Sequence, residues 1–111
     1  MTHHSYVEYR ERIAWIRDGA LAVLVEALRQ WGKTCQDQTC GEWIVPWCEQ
    51  LLVDFDNMPP GLKAVEFNDI VRTEVQRDCL KTALRDIQAR AISQGPDFLP
   101  STCEQWLTVL G

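Results

Sequence analysis

Three Ser/Thr-x-x-Glu tetrads punctuate this chain: Ser5 with Glu8, Thr39 with Glu42, and Ser101 with Glu104. In such a capping box the hydroxyl accepts from a backbone N–H three residues on, and the glutamate reaches back to the first N–H. Each tetrad precedes a stretch whose apolar residues recur by three and four, the context in which a helix start is read. The pattern predicts an all-α fold, a bundle of about four helices over 6–31, 40–54, 62–93 and 102–110. At 111 residues the chain fits a single helical domain, 1–111, with 1–4 as a flexible tail.

In the first helix Tyr6, Tyr9, Ile13, Ile16, Ala20, Val23 and Ala27 form a heptad-like seam, widened later by Leu21, Leu24, Val25 and Leu28. A β-hairpin turning at Asp18-Gly19 is the rival reading, since Asp-Gly is a hairpin signal; the Ala, Leu and Glu that follow favour helix. In the second helix Trp43, Trp47 and Leu51 form one row, with Cys48, Leu52 and Phe55 beside it. Pro46 either kinks that segment or marks its true first turn. Asp56 to Gly61 reads as a turn and a stop. The third helix begins near Leu62 or Asn68 and ends before Gly95-Pro96, a C-terminal stop. Its row of Phe67, Val71, Val75, Cys79, Ala83, Ile87 and Ala91 recurs every four residues and winds around the helix. The fourth carries Trp106, Leu107 and Leu110.

On a helical wheel Trp15 falls on the polar back of the first helix, whereas Arg10 and Arg17 fall inside its apolar sector. Glu74 and Asp78 lie on the apolar side of the third. Pairing of the two arginines with these two acids would fix a register; the alternative is that the arginines snorkel, stems packed and heads in water.

A net charge of −5 disfavours direct nucleic-acid binding, which needs a basic surface. The longest apolar run, Ala20 to Val25, is too short to span a membrane, and the polar start lacks a signal-peptide core. Cytoplasmic residence is the default expectation, and an odd number of cysteines without a tight pattern agrees with it.

Groups suited to chemistry are sparse. Histidine occurs at His3 and His4 alone, so no Ser-His-Asp or Cys-His arrangement and no helical histidine metal site is expected. Cys35, Cys40 and Cys48 lie close in sequence without C-x-x-C spacing, and a zinc site would need Cys79 and Cys103 in unusual geometry. Cys35 and Cys40 flank a polar loop and could pair under oxidation. Otherwise the thiols pack as small hydrophobes. Cys103, placed in a helix first turn, is the candidate for a lowered pKa. Asp54-Phe55-Asp56-Asn57 resembles the start of a calcium loop, but Met58 and Pro59 stand where an oxygen ligand and glycine are required.

These readings point to a noncatalytic protein-binding protein of the adaptor, chaperone or inhibitor type, with no cofactor and no metal. Its partner is another protein or a second copy, a homodimer through the first or third helix. Trp15, Arg10, Arg17, Trp43 and Trp47 are the candidate partner-binding residues, because tryptophan and arginine concentrate at interaction hot spots. Core placement is the plainer reading of Trp43 and Trp47. The alternatives are a small cysteine-based redox or metal-handling protein, and an acidic inhibitor of a nucleic-acid-binding protein, as in phage or mobile-element counter-defence.

Overall fold

The computed structural model describes residues 4–36, 38–57 and 64–111. The first expectation to fall is the first half of the first helix. Residues 4–17 are a β-hairpin, β1 (His4–Tyr9) and β2 (Arg12–Arg17), joined through Arg10 and Glu11, which both have positive φ, 48° and 69°. Two consecutive left-handed residues make the turn whose twist matches that of paired strands. The register pairs Tyr9 with Arg12, Val7 with Ala14 and Ser5 with Ile16. The physical reason for the correction lies in the side chains. Val7, Tyr9, Ile13, Trp15 and Ile16 are β-branched or aromatic and fit a pleated surface. The apparent seam divides between two faces: Tyr9 and Ile16 are buried, while Tyr6 and Ile13 point outward. The capping-box reading of Ser5 and Glu8 fails for the same reason, since residues three apart in a strand lie on opposite faces.

The remaining elements are α1 (Asp18–Thr34), α2 (Gln38–Asn57), β3 (Ala64–Glu66), a single 3₁₀ turn (Phe67–Asp69), α3 (Glu74–Gln94) and α4 (Leu99–Leu110). β3 adds parallel to β1, giving a three-stranded sheet in the order β2-β1-β3. The fold is therefore mainly helical with a small mixed sheet, rather than all-α. Residues 1–3 of the expected tail, and the expected stop and helix start between 58 and 63, lie outside the described residues; His4 opens β1.

Asp18-Gly19 is not a hairpin turn but the start of α1. Ser5 Oγ donates to Asp18 Oδ1 at 2.6 Å, tying the first strand to the helix start. Leu21, Leu24, Val25, Leu28 and Trp31 are buried at helical spacing. α1 and α2 lie so close that a Cβ on Gly41 would stand 2.7 Å from the Gly32 carbonyl oxygen. Pro46 sits inside α2, which continues through it from Gln38 to Asn57 at the loss of one backbone hydrogen bond. Thr39 is already within that helix.

α3 starts later than expected, and from a cap the Ser/Thr-x-x-Glu pattern passes over. Thr73 Oγ1 accepts from the Gln76 N–H at 3.1 Å, and Gln76 Oε1 accepts from the Thr73 N–H at 3.2 Å. The expected stop is where it was placed: Gly95 caps α3, its N–H donating to Ala91 O. Cys79, Leu80, Ala83, Leu84, Ile87 and Ala91 face the core, while Val75 is exposed. α4 begins at Leu99 with Pro100 in its first turn, so Ser101 is no cap; its Oγ donates to Phe98 O.

Phe67 joins the sheet to the helices. Its ring lies 5.0 Å from Trp106, 6.0 Å from Trp47 and 6.5 Å from Tyr9, centroid to centroid. A disulfide between Cys40 and Cys79 links α2 to α3 across 39 residues of chain. Cys40 therefore does not pair with Cys35, and Cys79 is no free core thiol; Cys35, Cys48 and Cys103 are free.

Candidate functional site

Ser5, Val7, Tyr9 and Ile16 are buried and turn one face of the sheet to the helices. The other face carries Tyr6 and Glu8 from β1, Ile13, Trp15 and Arg17 from β2, and Ala64 and Glu66 from β3, by strand alternation. No described element covers it. Trp15 is 60% exposed and Ile13 47%. Tyr6 and Trp15 are directly paired across the strands, rings edge-on at 5.6 Å, so the indole is held in place although it is open to water. Tyr6 Oη also donates to Glu66 Oε1 at 3.4 Å. Desolvation first, and then the adjacent Glu66 and Glu8 carboxylates, raise the Tyr6 pKa above its usual 10.0, which keeps the phenol a neutral donor.

β2 is an edge strand. In the alternation set by the two-residue turn, the peptide groups of Ile13 and Trp15 point away from β1. Gln105 of α4 meets one of them, its Nε2 donating to Trp15 O at 3.3 Å. On either side of this bridge lies a groove. One, of about 770 Å3, lies between Trp15, Arg17, Val23 and Phe98; the other, of about 830 Å3, lies between Ile13, Pro100, Gln105 and Val109. Phe98, at 42% exposure, extends the apolar surface beyond the sheet.

The candidate residues do not form one cluster. Trp15 and Arg17 share the outer face. Arg10 sits in the turn, with its guanidinium carbon 5.0 Å from the Tyr9 ring centroid and its backbone N–H donating to Asn68 Oδ1 at 3.3 Å. Neither arginine lies on a helix, which removes the premise of the expected pairing with Glu74 and Asp78. Among the described residues the ion pairs run from Arg29 to Glu26 and Glu49. Trp43 and Trp47 are half-buried, 5.8 Å apart, and lead through Phe67 into the core. Sequence reasoning missed Tyr6, Ile13, Phe98 and Gln105. The first two were visible as outward members of period-two patterns, Tyr6-Glu8 against Ser5-Val7-Tyr9 and Ile13-Trp15-Arg17 against Ala14-Ile16; the last two are brought in by tertiary contact alone.

The cysteines lie elsewhere. Burial pushes the Cys48 thiol up to about 12, aided by the Glu26 carboxylate. It pushes Cys103 up to about 11, against the lowered value expected at a helix start; Leu99, not Cys103, opens that helix. Among the described residues no group of three His, Cys, Asp or Glu side chains is placed to hold a metal ion, and no helix is long and apolar enough to cross a membrane. Compared with known proteins, the chain matches no protein-family profile, no curated protein and no solved structure.

Proposed function

We propose that this chain is a noncatalytic protein-binding protein that docks its partner on the outer face of the hairpin, with Trp15 as the anchor. The observation that carries this reading is the exposure of Trp15, 60%, at the middle of a sheet face that no described element covers, beside Ile13. A large rigid side chain held by Tyr6 loses little conformational freedom on contact, which is why aromatic residues dominate binding hot spots. The grooves beside the β2 edge offer a partner backbone groups as well as apolar surface, the basis of strand-addition binding. Arg17 belongs to this surface. Arg10, in the turn and leaning on Tyr9 of the other face, lies outside it, and Trp43 and Trp47 belong chiefly to the core.

The redox alternative draws support from the Cys40–Cys79 bridge. The raised pKa values of buried Cys48 and Cys103 leave Cys35 as the accessible thiol, which is a thin basis for exchange chemistry.

The test is affinity capture from native cell extract with three baits: wild type, Trp15→Ala and Ile92→Ala. Ile92 is more exposed still, at 74%, but stands on α3 rather than on the sheet. Proteins retained by wild type and Ile92→Ala, and lost with Trp15→Ala, would support the reading. An identical set on all three baits would refute it.

A further inference from the structure

The outer face of the sheet carries its charges in a fixed order. β2 presents Ile13, Trp15 and Arg17; opposite them β1 presents Glu8 and Tyr6, and β3 presents Glu66 and Ala64. The carboxylates of Glu8 and Glu66 therefore lie at the turn end, Arg17 at the end where α1 begins, and the Tyr6–Trp15 pair between. The other cations of the hairpin do not blur this order. Arg10 leans over Tyr9 on the opposite face, and Arg12 donates through Nη1 to Val109 O at the end of α4.

We propose that a second copy of this chain covers this face, related by a two-fold axis that lies in the plane of the face and crosses the strands at the level of Tyr6 and Trp15. That rotation reverses the strand direction and keeps each strand over its counterpart, so Arg17 of each copy comes over Ile13 at the carboxylate end of the other, with Glu8 one strand aside and Glu66 beyond it. Trp15 and Tyr6 meet their own counterparts at the centre, as an isologous contact requires. A two-fold axis along the strands would instead bring like ends together, with Glu8 of the central strand over its own counterpart. Opposite charges at opposite ends of an aromatic centre thus select both the partner and the orientation, the role that charge plays best at interfaces. Three short strands about 4.8 Å apart make a small patch, well below the roughly 800 Å2 per partner of a standard interface. The association is accordingly weak, with Kd on the order of 100 μM, and it weakens with salt because the charged rim is exposed.

The proposal rests on the reading of this face as a docking surface, and sedimentation of the full chain separates the two. Wild type should pass from monomer to dimer between about 10 μM and about 1 mM at low salt, and Trp15→Ala should weaken the dimer about tenfold or more. Arg17→Glu, and separately Glu8→Arg with Glu66→Arg, should each give a monomer through like-charge contact across the axis. Mixed together, these two variants should form a heterodimer at least as tight as the wild-type dimer. That recovery also shows that both are folded, and circular dichroism checks each one alone. A wild type monomeric throughout this range, or a mixture that stays monomeric while both variants are folded, would overturn the proposal. If that monomer still captures a protein from extract in a Trp15-dependent manner, the second copy is overturned and the docking reading stands. If it captures nothing, both are overturned.

Discussion

At Arg10 and Glu11 the chain adopts positive φ without glycine or asparagine. A side chain there costs about 1–2 kcal/mol per residue, and the hairpin tolerates it because the strands on both sides are held by the core. Glu11→Gly should therefore stabilise the protein by about 1 kcal/mol after the entropy of glycine is counted, read as a higher urea midpoint with unchanged slope. The same two residues explain why the turn was not legible: the Asn-Gly or Asp-Gly signal of such turns is absent here and present at Asp18-Gly19, where it opens a helix instead. Glu26 makes a different local argument. Arg29 holds it in a two-pronged contact at 2.8 and 2.9 Å and Gln30 adds a third bond, so its pKa falls to about 2. A depressed acid contributes stability above its unfolded value near 4.5, and that contribution is lost as pH falls toward 2. Glu26→Gln should flatten the melting temperature against pH within this window and leave its slope above pH 5 unchanged; because the pair is partly exposed, the effect is small.

Among the elements, α1 and α2 meet through glycine. A methyl on Gly41 would press on the Gly32 carbonyl oxygen at 2.7 Å, and backbone cannot swing aside as a flexible side chain can. Gly41→Ala should destabilise by about 1–3 kcal/mol, measured by chemical denaturation, although alanine is the better helix former. Helices with buried stripes at helical spacing were legible: Leu21 to Leu28 in α1, the row Cys79, Ala83, Ile87 and Ala91 in α3, and the stop at Gly95. The hairpin was not, because Tyr6, Tyr9, Ile13 and Ile16 satisfy a three-four spacing as well as an in-out alternation. Over so short a stretch, packing against α4 and α1 decides between the two periods, and that is tertiary information. Thr73 shows the complementary failure: its capping partner is Gln76 rather than a glutamate.

For the whole molecule, the Cys40–Cys79 bridge and the outer face of the sheet have the widest consequences. Closing 39 residues of chain restricts the unfolded state, worth about 4 kcal/mol on the chain-entropy account. Cys79→Ser, or dithiothreitol on wild type, should lower stability by about 2–4 kcal/mol, with dithiothreitol having no further effect on the variant. Such bridges persist in oxidising compartments, whereas the reducing cytoplasm would open this one. Three free thiols in protein isolated under thiol-blocking conditions would favour an oxidising location, and five a reducing one. The bridge was not legible because Cys40 and Cys79 are brought together only by the packing of α2 against α3. A helical wheel marks Trp15 as out of place on a helix that does not form; what remains of that reading is its exposure, now from a strand.

The most direct measurement of the central claim is hydroxyl-radical footprinting of the five tryptophans, in dilute purified protein and again in native extract. Trp15 should be the most heavily oxidised tryptophan when dilute, with Trp43 and Trp47 intermediate and Trp31 and Trp106 protected, and its labelling should fall several-fold in extract while Ile92 labelling holds. A Trp15 already protected in dilute monomer, or one labelled equally in extract, would contradict the account.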